Sequence, residues 1–327
     1  MTEMRRHTIQ EATDVSSARR DISGLTAALG YDETRAGQVA IIVTELAQNM
    51  LRHAGGGELL AGPDEGDPGG IEILALDRGP GIIDVAQSLR DGFSTGGTSG
   101  NGLGAVRRLS REMLFHVEAA RGTAILVRTG GTLPKPPRRP AAALCVAKPG
   151  ETACGDAAAI RTDPDGTVHL LLADGLGHGP DAARASGMAA RAFLVHDGRD
   201  SSALLAGLHA SLRSTRGAAL AAARIADGKV TYGGIGNIAG LIVDSGGVRR
   251  MVSHSGTAGH VVGRIQVFEY PLFSTPVLVM FSDGLTSTWS PDGRGGLFGQ
   301  DPMLIAGVLY RDHNRGRDDA SVVVWKG

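Results

Sequence analysis

Leu171-Leu172-Ala173-Asp174-Gly175-Leu176-Gly177-His178-Gly179 ends an apolar run in one carboxylate and three closely spaced glycines. Residues 167–173 read as a buried strand of β-formers and leucines, with Asp174 projecting from its end. The glycines let the backbone turn tightly and expose carbonyls that can act as oxygen ligands. A lone Asp-Gly marks an ordinary turn. Three more aspartates set this one apart, each at the edge of a β-rich run: Asp156 after Cys154-Gly155, Asp283 in Phe281-Ser282-Asp283-Gly284, and Asp318 in Arg317-Asp318-Asp319-Ala320-Ser321-Val322. Four such carboxylates with no His or Cys cluster suit Mg²⁺ or Mn²⁺ and not zinc.

The 327 residues favour two domains. With 33 Lys+Arg against 34 Asp+Glu, there is no global pull toward nucleic acid or an anionic membrane. The longest apolar runs, such as residues 276–281, fall short of a membrane span, and the polar residues 2–20 do not form a signal peptide, so a soluble, cytoplasmic protein is expected. Cys145 and Cys154 read as buried thiols. Gly is 49 of 327 residues, about twice the usual share of roughly 7%, and many of these glycines fall in motifs.

Strands are expected at 143–147, 156–162 and 167–173, helices at 180–195 and 202–213, strands at 217–225, 229–234, 239–243, 277–282 and 320–325, and a helix at 302–310. That order fits an antiparallel β-sandwich flanked by helices, an α+β design. From residue 142 onward the chain resembles the SpoIIE-type branch of the metal-dependent serine/threonine phosphatases, the PP2C fold. The resemblance rests on Gly155-Asp156, Asp174-Gly175-Leu176-Gly177-His178-Gly179, Gly236-Asn237, Ser282-Asp283-Gly284-Leu285 and Asp318-Asp319 with Ser321. It implies two Mn²⁺ or Mg²⁺ ions held by Asp156, Asp174, the Gly175 carbonyl, Asp283 and Asp318, with Asp319 an alternative to its neighbour. Such ions activate a water for in-line attack on phosphorus. Two roles stand open for His178: protonating the leaving group or shaping the turn. The shortness of this half is similar to RsbX-type phosphatases.

In the first half, Asp14 is expected to cap a helix over 15–29, which Gly30 stops. A second helix is expected over 33–54, with Val39, Ile42, Val43, Leu46 and Met50 as its apolar stripe. Glu45 and Asn49 stack four apart on a neighbouring face, which alone would be a solvated surface. Downstream residues change that reading. A strand over 70–76 ends in Asp77-Arg78-Gly79-Pro80-Gly81-Ile82, and Ser99-Gly100-Asn101-Gly102-Leu103-Gly104 opens a helix over 105–111. A glycine loop at a helix N-terminus is suited to phosphate. No Gly-Lys-Ser/Thr follows, so this is not a P-loop, and no strand precedes it as a dinucleotide fingerprint requires.

Glu45 with Asn49, Asp77 with Gly79 and Gly81, the loop at 100–104, and Gly122-Thr123 together resemble the GHKL (Bergerat) ATP-binding α/β sandwich. The stretch Asp91-Gly92-Phe93-Ser94-Thr95, with the short lid over 83–99, is most similar to RsbT-type switch kinases. The resemblance implies ATP with Mg²⁺ as cofactor: Asn49 holds Mg²⁺, Asp77 accepts from the adenine amino group, and Thr123 lies near the base. Gly79, Gly81, Gly100, Gly102, Leu103 and Gly104 bring backbone close to the nucleotide, and Glu45 is the base at the acceptor hydroxyl. His53, a further turn along, reads as helix surface or packing.

Residues 130–140 hold four prolines and read as an extended linker. The domains expected are 1–129 (kinase), 130–141 (linker) and 142–327 (phosphatase). A bifunctional regulator in partner-switching signalling follows, whose phospho-substrate would be a STAS-domain anti-sigma-factor antagonist or stressosome-type protein. Nucleic acid and membrane are not expected as partners, and a homodimer is left open. Two other readings keep the phosphatase: a GHKL half that senses nucleotide without transferring phosphate, and a first half that docks a signalling partner.

Overall fold

The computed structural model describes residues 3–82, 84–85, 102–133, 139–197, 199–294 and 296–327. Gly100, Asn101, the stretch Asp91-Gly92-Phe93-Ser94-Thr95 and the linker prolines Pro134, Pro136 and Pro137 lie outside them. The chain divides into two compact units. The nucleotide-motif unit comprises Met4–Arg139 and Gly295–Arg311; the acidic unit comprises Met1–Glu3, Pro140–Arg294 and Asp312–Gly327. The division is therefore not linear in sequence, because residues 295–311 pack with the first half.

The nucleotide-motif unit is built on a five-stranded antiparallel sheet of order β1-β2-β3-β5-β4, from β1 (Arg5–Ile9), β2 (Gly57–Asp64), β3 (Gly70–Leu76), β4 (Glu112–Glu118) and β5 (Gly122–Gly130). Helices α1 (Ala12–Ala28), α2 (Glu33–Ala54) and α3 (Gly102–Leu109) belong to the same unit. The expected stripe of α2 is buried with Ile71, Ile73, Ala75, Ile125 and Val127 of the sheet. Asp32 caps this helix by accepting the Arg35 amide at 2.7 Å, and Gly55 ends it at φ 71°, the left-handed conformation that glycine adopts without a Cβ penalty.

Two local expectations are corrected, and one strand is added. Asp14 is not the N-cap of α1: Glu11 is, and Asp14, one turn in, accepts the amides of Gln10 and Glu11 at 2.8 and 2.9 Å as the reciprocal half of a capping box. Helix α3 begins at Gly102, inside the glycine loop itself. Strand β2 escaped notice because Gly57, Gly62 and Pro63 break its alternation. Pro63 is tolerated because β1 pairs only with Gly57 to Ala61, so its missing N–H faces no strand on that side.

The other face of this sheet is buried too. Leu60, Leu74, Leu76 and Leu126 are at most 2% exposed, and alternation turns them away from the α1–α2 side. Residues 295–311 lie here, chiefly as helix α6 (Pro302–His313), where a Cβ on Gly307 would come within 3.1 Å of both Leu74 methyls. At the start of α6, Asp301 accepts the Met303 amide at 2.9 Å and pairs through both oxygens with Arg128 at 3.0 Å. Arg128 also meets buried Glu72 at 2.6 Å, so its charge is compensated inside the unit.

The acidic unit holds two antiparallel five-stranded sheets. One has the order β13-β10-β9-β8-β7, from β7 (Asp156–Thr162), β8 (Val168–Gly175), β9 (Ala218–Ala226), β10 (Lys229–Ile235) and β13 (Phe268–Pro271). The other has the order β12-β11-β14-β15-β6, from β6 (Ala141–Val146), β11 (Ala239–Asp244), β12 (Gly247–Met251), β14 (Val277–Phe281) and β15 (Ala320–Lys326). Leu170, Leu172, Tyr232, Leu278, Met280 and Val323 fill the space between them. Helices α4 (Pro180–Val195) and α5 (Ser201–Ser211) cover the opposite face of the first sheet, with Phe193, Leu204 and Leu208 against Ala157, Leu171 and Leu220. This is the expected sandwich. Cys145 and Cys154 are free, buried thiols. The short edge strands β12 and β13 carried no clear apolar signal.

Candidate functional site

In the acidic unit the antiparallel register of β7 and β8 places Asp156 directly opposite Asp174. Like charges across a strand pair destabilise a sheet, so this pairing requires compensation. Asp156 is 5% exposed, and its Oδ2 accepts the hydroxyls of Ser282 at 2.7 Å and Ser321 at 2.6 Å. No hydrogen-bond donor among the described residues reaches its buried Oδ1.

Asp174, Asp283 and Asp318 line one pocket with Lys148, Leu176, Gly177, His178, Ala219 and Asn237. Burial, and then repulsion from Asp156, Asp283 and Asp318, pushes the Asp174 carboxyl well above the usual carboxylate range. Burial and neighbouring charge raise Asp156 and Asp283 as well. The cluster is thus short of positive charge.

Gly175 is required as glycine because a Cβ there would overlap the Ala182 carbonyl at the start of α4. Asn237 donates to Asp283 Oδ2 at 2.7 Å. His178 stands exposed in the turn with Nδ1 2.6 Å from Glu151 Oε1. Asp319, the alternative ligand, does not line the pocket; it is 3% exposed and accepts the Lys148 amide at 2.9 Å, bracing that residue's backbone.

Among the described residues, no group of three His, Cys, Asp or Glu side chains is placed to hold a metal ion. Hard divalent ions do not require one, since Mg²⁺ keeps several waters and binds through one or two carboxylates. An all-oxygen donor set, mutual repulsion and an orphaned buried carboxylate oxygen fit such ions. Residues that the sequence left without a role are Lys148, Ser282, Ser321 and Glu151. Among the described residues that line the pocket, Lys148 is the one lysine or arginine. Its one sequence signal was rarity, as one of four lysines in the chain.

In the nucleotide-motif unit, Asp77 follows β3 directly and is 9% exposed. Its Oδ1 accepts the amides of Gly79 at 2.9 Å and Thr123 at 3.1 Å, and its own amide donates to the Thr123 carbonyl at 3.0 Å. Asp77 and Thr123 are thereby locked together across the β3–β5 edge. A Cβ on Gly79 would lie 2.6 Å from the Ala54 Cβ at the end of α2, so glycine is needed for that approach. Gly81 holds φ 88°, also a glycine conformation. A Cβ on Gly102 would lie 3.1 Å from Glu45 Oε2, which puts Glu45 beside the start of α3. Asn49 is half-buried one turn further along α2, whereas Leu103 and Gly104 are buried, Leu103 in the helix-side core. Gly100 lies outside the described residues.

Comparison with known proteins bears on both units. Residues 9–129 match the histidine kinase-like ATPase domain, and residues 164–325 match Stage II sporulation protein E (SpoIIE). Over 115 residues the chain is 36% identical to serine/threonine-protein kinase RsbT of Bacillus subtilis (strain 168), spanning 34% of this chain and 85% of that protein. Among solved structures, one from a study of the bacterial stressosome, as a modular system adapted to control secondary messenger signalling, covers 56% of this chain and 97% of its own. Its TM-score is 0.53 at 25% identity. RsbX in complex with magnesium covers 57% of this chain and 94% of its own, with a TM-score of 0.50 at 20% identity, a likeness of fold. The chain therefore belongs to the RsbT kinase family through a histidine kinase-like ATPase domain, joined in one polypeptide to a SpoIIE domain of PP2C type.

Proposed function

We propose that the protein is a bifunctional regulator of partner switching, with an ATP-dependent serine/threonine kinase in residues 1–129 and a metal-dependent phosphoserine/phosphothreonine phosphatase in residues 142–327. The linker would be 130–141, with residues 295–311 lent to the first compact unit. The phospho-substrate would be a STAS-domain antagonist or stressosome-type protein. The observation that carries the reading is the opposition of Asp156 and Asp174 beside Asp283, Asp318 and Lys148, a cluster that calls for cations and then for a phosphate.

Divalent ions, when bound, would supply an activated water and neutralise charge on the phosphate. Asp156, Asp174, the Gly175 carbonyl, Asp283 and Asp318 would hold them, with Ser282 and Ser321 fixing Asp156. The Lys148 ammonium would face the phosphate oxygens. As the bond from phosphorus to the seryl oxygen breaks and the bond to water oxygen forms, His178, oriented by Glu151, would protonate the departing oxygen.

In the first domain, ATP would sit with its adenine amino group on Asp77, its base near Thr123, and its phosphates at the N-terminus of α3. Gly79, Gly81, Gly100, Gly102, Leu103 and Gly104 would frame it, and Asn49 would hold Mg²⁺. Glu45 would accept the proton of the substrate hydroxyl while that oxygen takes the γ-phosphoryl group and ADP departs. Its place beside Gly102 supports transfer over mere sensing.

The test uses Asp174→Asn protein, Mg-ATP and a STAS partner, followed by intact mass. Gain of one phosphoryl group, then its loss on adding wild-type protein with Mn²⁺, is expected. No gain, with hydrolysis of pre-phosphorylated partner intact, would leave a nucleotide-sensing phosphatase.

A further inference from the structure

We infer that Arg311, 234 residues beyond Asp77 in sequence, is a positioning residue of the nucleotide site. The inference rests on the reading of Asp77 as the adenine-recognising carboxylate. Arg311 ends the part of α6 that packs with the nucleotide-motif unit. It is 3% exposed, and its Nη1 donates to the Asp77 carbonyl at 3.2 Å. The Arg78 guanidinium returns a bond to the Arg311 carbonyl. A guanidinium is costly to bury, and Nη1 of this one is directed at the peptide that carries the proposed adenine contact.

The Asp77 segment is then held from three directions. Thr123 grips its amide and, with Gly79, its Oδ1, while Arg311 grips its carbonyl. Both amide bonds to the carboxylate use Oδ1, which leaves Oδ2 for the exocyclic amino group of adenine. Arg311 would act through Asp77, by setting where that residue stands, and not on the nucleotide itself. The helix that carries it is itself fixed along the sheet, by Asp301 on Arg128 at one end and by Gly307 on Leu74 and Leu76 midway. Adenine recognition in the RsbT-like domain thus depends on a segment encoded within the SpoIIE region, residues 164–325.

The experiment uses the full-length chain and N-methylanthraniloyl-ATP fluorescence, with ATP and GTP as competitors and melting temperature recorded alongside. Arg311→Ala is expected to raise the ATP Kd about tenfold, as for a lost charge-assisted hydrogen bond, and to narrow the preference for ATP over GTP. Arg311→Lys, which keeps one charged donor, should recover part of both and serves if the alanine variant does not fold. Unchanged Kd and preference in either variant overturn the inference. So does weaker binding of ATP and GTP alike with preference intact, which marks a purely structural role. Absence of nucleotide binding by the wild-type protein refutes the nucleotide-site reading itself and this inference with it.

Discussion

The carboxylates of the two units are managed in opposite ways. Asp77 is nearly buried and satisfied by two backbone amides, so it stands ready to accept one more hydrogen bond from a neutral partner. Asp156 and Asp174 are set opposite each other across a strand pair; burial raises both, with the charge of Asp319 adding to it at Asp156 and those of Asp156, Asp283 and Asp318 at Asp174. On the proposed reading, one site would be complete without its ligand and select by geometry, whereas the other would be electrostatically incomplete and select by charge.

Five substitutions sharpen or break that contrast, and the largest effect is expected at Asp174. Asp174→Asn should lower Mn²⁺-dependent phosphoserine hydrolysis on the order of a thousandfold, the equivalent of several kcal/mol of lost metal-based stabilisation. Nucleotide affinity measured on the same sample should not move. Asp77→Asn presents an amide where an acceptor is needed; isothermal titration should show ATP affinity falling about a hundredfold, with phosphatase turnover unchanged.

Smaller effects come from the supports. Ser282→Ala or Ser321→Ala removes a donor from Asp156 Oδ2, and Mn²⁺ titration by calorimetry should give a Kd about tenfold weaker. An unchanged Kd would show that these hydroxyls do not tune the carboxylate. The smallest effect has the opposite sign. Asp156→Asn should stabilise the metal-free protein by about 1 kcal/mol, because it replaces a buried carboxylate, raised by burial and by the charge of Asp319, with a neutral amide. Mn²⁺ should raise the melting temperature of the wild type and leave that of this variant unchanged. Loss of metal-free stability in this variant would mean that the buried Asp156 carboxylate is no burden on the metal-free fold.

Much of the fold was legible. Helix α2, strands β3 and β7 and helix α4 fall at the residues their periodicity and caps indicated. Strands β1, β2, β4, β12 and β13 did not show, because edge positions, Gly57, Gly62 and Pro63 blur the alternation that a buried strand displays. Among the described residues no helix is long and apolar enough to cross a membrane, in keeping with the short apolar runs.

The sequence by itself determined the local chemistry: carboxylates at strand ends, glycines where backbone must turn or approach, and the Glu45–Asn49 face four residues apart on a helix. Such features are written in contiguous residues, because dihedral preference and side-chain period act over a few positions. Only the tertiary structure decided that Asp156 faces Asp174, that Ser282 and Ser321 share one oxygen, that Asp319 braces Lys148 and leaves the pocket to Asp318, and that Arg311 reaches Asp77. Those relations depend on strand register and helix docking between distant segments. A one-residue slip in the β7–β8 pairing would put Asp156 and Asp174 on opposite faces of their sheet.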